Sequence, residues 1–224
     1  MKLEQYSRTI GLLGEDTFNL IRNKKILIAG LGGVGGTVFE ALIRIGFKHF
    51  VIIDKDIVTS SNLNRQILYV ASDIGKAKVE VAKSRALAID DEIDIKTYQG
   101  NILDILDFKD VDMVVDCIDD VKAKVALIKY TLVNNIALIT STGMANKMDP
   151  SCLAIASLNK SSVDPLAKKL RYELKKDGVE ISKVMALYSS ELPKKDDAKL
   201  NSLITVTSSA GLYIANYVLN VLQK

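Results

Sequence analysis

A glycine-rich segment, Gly30-Leu-Gly-Gly-Val-Gly35, constrains the fold of this chain most strongly, because its neighbours predict a strand before it and a helix after it. The preceding run Lys25–Ala29 is short, apolar and partly β-branched, which is typical of a buried strand. Apolar residues continue after the glycines at helical spacing up to Gly46, which is a suitable helix end. A strand, a glycine loop and a helix in this order predict a nucleotide or dinucleotide site.

Each glycine of this loop has its own expected role. Gly30 would allow a tight turn, Gly32 would let the backbone approach a phosphate, and Gly35 would let the helix pack on the strand. The helix N terminus offers free N–H groups to phosphates. About 20 residues further on, Asp54 ends a second predicted strand, where an acid can accept ribose hydroxyls. The alternative is a turn that binds nothing, but strand, helix and acid are all in register.

The rest of the chain alternates strands and helices, which favours a mostly parallel sheet. We expect an α/β fold with a Rossmann-like, doubly wound, mostly parallel sheet and a small α+β C-terminal extension. The turn at Asp149-Pro150 divides a nucleotide-binding domain, residues 1–148, from an extension, residues 149–224, packed on the same core. The extension should contain a strand, a basic helix, a strand and an apolar helix. Upstream, we predict helices near 9–23, 34–46, 75–89 and 120–134, and strands at 25–29, 49–53, 93–98, 112–116 and 136–140.

Composition limits the cellular context. The net charge of +3 excludes a global polycation, although residues 151–224 carry 11 basic and 7 acidic side chains, a bias that fits an anionic partner or a solvated surface. The two cysteines, Cys117 and Cys152, fit a reducing compartment and give no disulfide framework. The N terminus lacks an apolar signal core, so we expect a cytoplasmic protein.

The final apolar stretch, Leu203–Leu222, is uncharged and about as long as a membrane span. It also contains polar residues such as Asn216 and Asn220, which are costly in lipid unless they are paired. We therefore expect a buried helix and no membrane partner, with a dimer interface or membrane association as the alternatives.

Cations and neutral donors follow the glycine loop. Arg65 and Lys78 would neutralise charge that develops on phosphates and on a pyrophosphate leaving group. Asn62 and Gln66 suit contacts to ribose, phosphate or the leaving group. Together these four residues favour a site that cleaves ATP over a simple dinucleotide site.

Two acids follow the predicted strand Val111–Asp116. Asp119 lies just past the end of this strand, where ligands bind in open α/β sheets, and its carboxylate is a candidate Mg²⁺ ligand. The alternative for Asp119 and Asp120 is capping of the helix that begins near Val121. We expect capping for Asp120 and a further role for Asp119.

Five spaced motifs together resemble the ThiF/MoeB superfamily, which has the fold of ubiquitin-activating enzymes. Members bind Mg·ATP and adenylate a carboxylate, releasing pyrophosphate. The resemblance extends over about the first 145 residues and rests on specific spacing. The motifs are Gly30–Gly35, Asp54-Lys-Asp56, Ser61–Gln66, Gly75–Lys78 and Asp116-Cys-Ile-Asp119.

This resemblance implies roles for individual residues. Asp54 would hold the ribose, Asn62 and Arg65 with Lys78 the phosphates, and Asp119 the magnesium ion. Tyr6-Ser-Arg8 matches the arginine that reaches the nucleotide of a neighbouring subunit in the family, which implies a homodimer. The implied catalytic residues are Arg8, Arg65, Lys78 and Asp119, and the implied cofactor-binding residues are Gly30, Gly32, Gly33, Gly35, Asp54, Asp56, Asn62, Arg65, Gln66 and Lys78.

Motifs in the C-terminal third resemble one subfamily, the tRNA threonylcarbamoyladenosine dehydratases (TcdA, also called CsdL). This resemblance implies an ATP-dependent carboxylate-activating ligase or cyclase acting on tRNA. ATP would activate the carboxylate of the threonyl group on an adenosine beside the anticodon, and intramolecular attack would close a ring with net loss of water. The motifs are Thr140-Ser-Thr-Gly-Met, Met148-Asp-Pro150, Asp164–Arg171 and Tyr188–Pro193.

The same resemblance implies partners. It suggests a monovalent cation, K⁺ or Na⁺, near Thr140–Gly143, and a sulfur-relay protein. Lys168, Arg171 and Lys175 would share one helix face that could contact tRNA phosphates, although a solvated face is the alternative. The basic residues compatible with tRNA are Lys160, Lys168, Lys169, Arg171, Lys175 and Lys176.

Other functions stay open. An ATP-dependent adenylyltransferase for a ubiquitin-like sulfur-carrier protein, of the thiamin or molybdopterin type, would favour a Cys-x-x-Cys zinc motif. Two isolated cysteines and a single histidine, His49, argue against zinc. A nicotinamide-dependent oxidoreductase would use the glycine loop but leave Arg65, Lys78 and Asp119 without a role. A non-catalytic nucleotide-binding scaffold is the remaining alternative.

Overall fold

The computed structural model describes residues 3–105, 108, 110–194 and 200–224, and these residues form a single sheet of seven strands. The strands lie in the order β3-β2-β1-β4-β5-β7-β6, and only the pair of β6 and β7 is antiparallel. The predicted Rossmann-like, mostly parallel sheet is therefore confirmed. The strands are β1 (Lys25–Ala29), β2 (His49–Ile53), β3 (Asp94–Tyr98), β4 (Met113–Asp116), β5 (Ala137–Ser141), β6 (Leu153–Ser157) and β7 (Met185–Ser189).

Seven α-helices accompany the sheet in the described ranges. The single helix predicted near 9–23 is wrong, because Gly14 adopts φ +81° and separates two shorter helices. A left-handed residue cannot continue an α-helix, and glycine adopts that conformation at the least cost. The helices are α1 (Ser7–Leu13), α2 (Glu15–Arg22), α3 (Gly33–Ile45), α4 (Lys78–Ile89), α5 (Val121–Val133), α6 (Pro165–Lys176) and α7 (Ile204–Leu222).

The strands alternate their side chains between two apolar layers. In β1, Ile26 packs in the core that contains α3 and α7, whereas Leu27 packs in the core that contains α5. A Cβ atom on Gly211 of α7 would lie 2.6 Å from Cβ of Thr37, so the absence of a side chain lets α7 approach α3 closely. Helices on both faces give the doubly wound arrangement.

The apolar C-terminal stretch forms α7. Val206, Ala210, Ile214 and Val218 are all buried and recur every four residues, so they form the face that packs on the core. This confirms the predicted buried helix. No helix in the described part of the chain is long and apolar enough to cross a membrane.

The C-terminal extension continues the sheet. β7 pairs in parallel with β5, with Met185 opposite Ile139, and β6 closes that edge in the antiparallel direction. The extension therefore shares the sheet of the preceding residues, while its division from them at residue 148 stays a prediction.

The strand order reverses at β1. The chain runs outward from β1 through β2 to β3 and then returns to place β4 on the other side of β1. The connections from β1 and β4 thus leave on opposite sides, which opens a crevice at the carboxyl ends of these strands. Open α/β sheets bind ligands at this point.

Candidate active site

A cavity of about 310 Å³, the first cavity, opens at the carboxyl ends of β1, β2 and β4. It is large enough for a small-molecule ligand. Among the predicted site residues, Gly35 and Arg8 are the two that do not line it. Those that line it are Gly30, Gly32, Gly33, Asp54, Asp56, Asn62, Arg65, Gln66, Lys78 and Asp119.

The glycine loop forms one wall of the first cavity. Gly30 adopts φ +89°, and a Cβ atom there would lie 2.7 Å from the carbonyl oxygen of Cys117. A Cβ atom on Gly35 would lie 1.9 Å from the carbonyl oxygen of Gly30, so only glycine lets α3 begin so close to the loop. Gly32 is the N-cap of α3 and provides no side-chain cap. The first N–H groups of α3 are thus suited to bind an anion.

Leu31 fixes the loop through both of its backbone groups. Its N–H donates to Oδ2 of Asp54 at 2.6 Å, and its carbonyl accepts from the hydroxyl of Tyr69 at 2.9 Å. Oδ1 of Asp54 accepts from the N–H of Asp56 at 2.8 Å. Burial raises the pKa of the Asp54 carboxyl, although Lys78 and these N–H groups oppose the shift. Each oxygen of Asp54 keeps a second lone pair that can accept a ligand hydroxyl.

Two cations are fixed at the wall of the first cavity. Lys78 begins α4, is 4% exposed, and donates from Nζ to Oδ2 of Asp56 at 2.9 Å. The guanidinium of Arg65 donates to the carbonyl of Ser61 at 2.7 Å and to Oδ1 of Asn64 at 2.9 Å. These three contacts hold the two cations in place, which is the arrangement expected of groups that stabilise phosphate charge.

Gln66 carries a buried acceptor without a partner. The residue is 5% exposed, and its Oε1 receives no hydrogen bond from the described residues. Its neighbour Asn62 uses Oδ1 to accept from the N–H of Thr59 at 3.0 Å, which leaves the amide N–H₂ group of Asn62 as a donor. Buried polar atoms in native proteins are nearly always hydrogen-bonded. The unpaired Oε1 of Gln66 is therefore available to accept a hydrogen bond from a ligand or a water in the first cavity.

The two acids after β4 have different surroundings. Oδ1 of Asp120 accepts from the N–H of Ala123 at 2.8 Å and caps α5, which confirms the capping role predicted for it. Both acids are exposed and line the first cavity, but Asp119 has no hydrogen-bond or ion-pair partner among the described residues. Its carboxylate is available to a ligand or a hard cation.

A second cavity of about 650 Å³ adjoins the first. Both are lined by Arg65, Asp119 and Thr207, so a ligand in one cavity can meet a ligand in the other at these residues. Thr207 belongs to α7 and lies 142 residues beyond Arg65. Val34, Cys117 and Ile118 also line both cavities. The remaining walls of the second cavity come from the loop 141–146, the start of α6 at 164–166, Pro193, Lys194, Leu200 and Ser202.

The second cavity also contains an unpaired polar atom. Thr142 is 5% exposed, and its hydroxyl has no hydrogen-bond partner within the described ranges. Beneath the same wall, Nζ of Lys147 lies 3.6 Å from Oδ2 of Asp164, which caps α6 through its other oxygen. The buried ion pair fixes the loop 141–147 against the start of α6. Because the hydroxyl of Thr142 is unpaired, it is a candidate contact for a ligand in the second cavity.

A buried lysine that the sequence prediction missed joins the ends of β4 and β5 next to the two cavities. Lys124 is fully buried, and its Nζ donates to Oδ2 of Asp116 at 3.0 Å, to Oγ1 of Thr140 at 3.0 Å and to the carbonyl of Ser141 at 2.8 Å. These contacts tie the end of β4, which is followed by Asp119, to the end of β5, which leads into the second cavity. The sequence did contain a signal for this lysine, because Lys124 falls among the positions of α5 that are buried.

The cysteines give no nucleophile here. Burial raises the pKa of the Cys117 thiol to about 12, so this thiol stays protonated near neutral pH. Cys152 lies at the start of β6, outside the linings of both cavities. Cys117 serves instead to pack the turn beneath Gly30.

Arg8 does not join the cavity of its own chain. It is an exposed residue of α1 and lines neither cavity. Its predicted contact with the nucleotide of a neighbouring subunit stays a prediction.

Comparisons with known proteins agree on one family. The protein-family model described as ThiF family matches residues 6–223. A tRNA threonylcarbamoyladenosine dehydratase from Bacillus subtilis (strain 168) is 32% identical over an alignment of 249 positions, which covers 99% of this chain and 96% of that protein. The dehydratase of Haemophilus influenzae is 36% identical over 185 residues, which cover 79% of this chain and 70% of that protein.

The fold has close counterparts among solved structures. The crystal structure of the Escherichia coli tRNA N6-threonylcarbamoyladenosine dehydratase, TcdA, in complex with ATP superposes with a TM-score of 0.92 at 32% identity, covering 98% of this chain and 94% of that chain. The E. coli MccB structure with ATP shares the fold, with a TM-score of 0.71 at 22% identity over 98% of this chain and 64% of that chain.

Proposed function

This chain belongs to the ThiF family, and from this premise we propose that it is an ATP-dependent tRNA threonylcarbamoyladenosine dehydratase. Relatives that carry this name match nearly the whole chain. The observation that carries the proposal is the pair of adjoining cavities lined in common by Arg65, Asp119 and Thr207. Carboxylate activation needs such an arrangement, because the substrate and the α-phosphate must meet in one place.

ATP would occupy the first cavity. The free N–H groups at the start of α3 would bind phosphate, and Asp54 would accept the ribose hydroxyls. Lys78 and Arg65 would offset negative charge on the phosphates as pyrophosphate departs. The predicted contacts of Asp56, Asn62 and Gln66 to the same ligand belong to this proposal.

Asp119 would hold a magnesium ion against the phosphates. Its carboxylate fits this role because it is exposed in the cavity and has no partner among the described residues, whereas Asp120 is engaged as a cap. When bound, Mg²⁺ would withdraw charge from the phosphate oxygens.

The threonylcarbamoyl group would enter the second cavity. Its carboxylate oxygen would attack the α-phosphorus of ATP, and the bond from that phosphorus to the bridging oxygen would break as pyrophosphate leaves. A group of the same side chain would then attack the activated carbonyl, lose its proton and release AMP. One water is removed from the nucleoside in total. Since the nucleophile and the electrophile belong to one molecule, the second step needs no further encounter.

Other partners belong to the proposal too. A monovalent cation near Thr140–Gly143 would find the free hydroxyl of Thr142, because Oγ1 of Thr140 and the carbonyl of Ser141 already bind Lys124. A homodimer would bring Arg8 of the partner subunit to the nucleotide. The sulfur-relay protein rests on the family resemblance alone.

Mass spectrometry of tRNA nucleosides tests the function in cells. In cells that lack the gene for this chain, the cyclised adenosine should disappear and threonylcarbamoyladenosine should accumulate. Re-expression of the wild-type chain should restore the cyclic form, and the Asp119→Ala variant should not. Persistence of the cyclic nucleoside in the deletion strain, with no related gene supplying it, would refute the proposal.

A further inference from the structure

We propose that the exposed face of α6 binds the loop strand of the tRNA substrate, with Tyr172 stacking on a base and lysines contacting phosphates. This inference rests on the proposed function and adds the surface through which the substrate is held. We call the surface the α6 stripe. It consists of Lys168, Lys169, Tyr172, Lys175 and Lys176.

The α6 stripe is a continuous surface with an aromatic residue at its centre. At 3.6 residues per turn, its five residues fall within an arc of about 120° around the helix axis, and Tyr172 lies near the middle of that arc. The opposite side of α6 carries Ala167, Leu170 and Leu174, which are fully buried. Tyr172 is 65% exposed, which is unusual for a large ring that has a buried face available nearby.

The charges of the α6 stripe are not held in ion pairs by the described residues. None of its four lysines forms an ion pair with a described residue, whereas the neighbouring Lys129 pairs with Asp177 at 2.7 Å. Arg171 differs from its predicted place on the tRNA-facing side, because its guanidinium turns inward and donates to the carbonyl of Ser161 at 2.8 Å. The tRNA-facing cations are therefore the lysines that flank Tyr172.

Helix stability does not account for all of these lysines. Lys175 and Lys176 lie in the last turn of α6, where cations interact favourably with the helix dipole. Lys168 and Lys169 lie in the first half of α6, toward its positive end, where the dipole gives a cation no advantage. Lys168 and Lys169 would be stabilised by an anionic ligand, such as a phosphate, bound to this face of the helix.

The stripe continues directly from the second cavity. Asp164, Pro165 and Leu166 line that cavity, and α6 begins at Pro165. From Pro165 to Tyr172 the helix rises about 10 Å. A nucleotide inserted in the second cavity would thus have its neighbours within reach of the stripe. Single-stranded RNA is recognised by aromatic rings that stack on bases and by cations along the backbone, which is the composition found here.

Tyr172→Ala tests the stacking contact. We expect the Kd for tRNA that carries threonylcarbamoyladenosine to rise about tenfold, because one base–aromatic stack is lost. Tyr172→Phe keeps the ring and should bind within about twofold of wild type. Tyr98→Ala, which removes an exposed tyrosine from the far edge of the sheet, is the matched control and should leave the Kd unchanged.

Lys169→Gln tests the phosphate contacts. The binding constant for the tRNA falls as the salt concentration rises. The plot of its logarithm against log salt should become less steep by about 1, as expected for the loss of one phosphate contact. Lys96→Gln removes an exposed lysine from β3 and should leave the slope unchanged. The KM for ATP and the turnover at saturating tRNA should stay at wild-type values in all these variants, since the stripe lies outside the first cavity.

Different results separate this inference from the proposed function. If wild-type protein dehydrates the tRNA but Tyr172→Ala binds it with wild-type affinity, the stripe is overturned and the function stands. Equal weakening by Tyr172→Ala and Tyr172→Phe, or an equal change in slope for Lys96→Gln, would also overturn it. If wild-type protein binds modified tRNA without converting it, the function fails while the surface is still measured by the same titrations.

Discussion

Among single residues, the neighbouring acids Asp119 and Asp120 show how position separates two identical side chains. The carboxylate of Asp120 accepts a hydrogen bond from the N–H of Ala123, whereas Asp119 lines both cavities. One residue acts on the helix and the other is free to act on a ligand.

We expect Asp119→Ala to lower turnover of modified tRNA by at least about 100-fold, because the proposed magnesium ligand, and with it the stabilisation of charge on the departing pyrophosphate, would be lost. The matched variant Asp120→Ala should cost about 1 kcal/mol in the free energy of unfolding through the lost cap and keep its turnover. Pyrophosphate release and urea denaturation measure the two effects. Normal turnover in Asp119→Ala would contradict the assignment.

Lys124 stabilises the site by joining the ends of β4 and β5. Lys124→Met would leave Asp116 buried without its cation, and we expect a loss of roughly 3–5 kcal/mol in the free energy of unfolding. Replacing both partners, as in Lys124→Met with Asp116→Leu, should recover part of that loss because no charge stays buried. Urea denaturation of wild type, Lys124→Met and the double variant measures these differences in the free energy of unfolding. A Lys124→Met protein as stable as wild type would show that the network is dispensable.

Between elements, α3 is the helix on which the site depends. Its N terminus forms one wall of the first cavity, its middle packs on α7, and Glu40 joins it to α4. The contact with α7 matters for the site because α7 carries Thr207 into both cavities.

Gly211→Ala should destabilise the α3–α7 contact. The added Cβ would lie 2.6 Å from Cβ of Thr37 and 2.8 Å from the carbonyl oxygen of Val34, so we expect a loss of roughly 1–3 kcal/mol. Gly11→Ala in α1 meets no atom within 4 Å and should be stabilising by up to about 1 kcal/mol, through helix propensity alone. Equal effects of the two substitutions in urea denaturation would contradict the close packing of α7.

Glu40 makes the stability of the α3–α4 contact depend on pH. Burial alone would raise the pKa of Glu40, but hydrogen bonds from Arg85 and Arg44 outweigh it and lower the pKa below the ordinary value of 4.5. A lowered folded-state pKa contributes stability above the unfolded-state pKa, and that stability is lost as the pH falls through the folded-state value. Glu40→Gln should therefore cost about 1 kcal/mol at pH 7, and this cost should shrink as the pH falls below 4.5 and the Glu40 carboxyl becomes protonated. A cost that does not change as the pH is lowered would contradict the ion-pair explanation.

For the molecule as a whole, the sequence was enough to predict those parts of the fold and of the site that short motifs encode. Gly30, Asp54 and Lys78 each follow or open an element whose hydrophobic pattern is clear, so their meeting at one edge of a parallel sheet could be predicted. The break at Gly14 was missed because a glycine inside a helical pattern is often tolerated.

Contacts between distant segments were beyond such reasoning. Thr207 reaches both cavities only because Gly211 lets α7 lie against α3, and nothing local to Thr207 indicates this. Lys124 and Thr140 form one network although they lie on different elements. Long-range packing sets these positions, and the pattern of a single segment does not report it.

The most direct measurement of the proposed chemistry uses purified protein, ATP, Mg²⁺ and tRNA that carries threonylcarbamoyladenosine, followed by nucleoside mass spectrometry and assays of AMP and pyrophosphate. We predict a nucleoside lighter by one water, with one AMP and one pyrophosphate formed for each nucleoside converted. An unchanged nucleoside, or AMP formation that requires a carrier protein and ignores the tRNA, would contradict the dehydratase function.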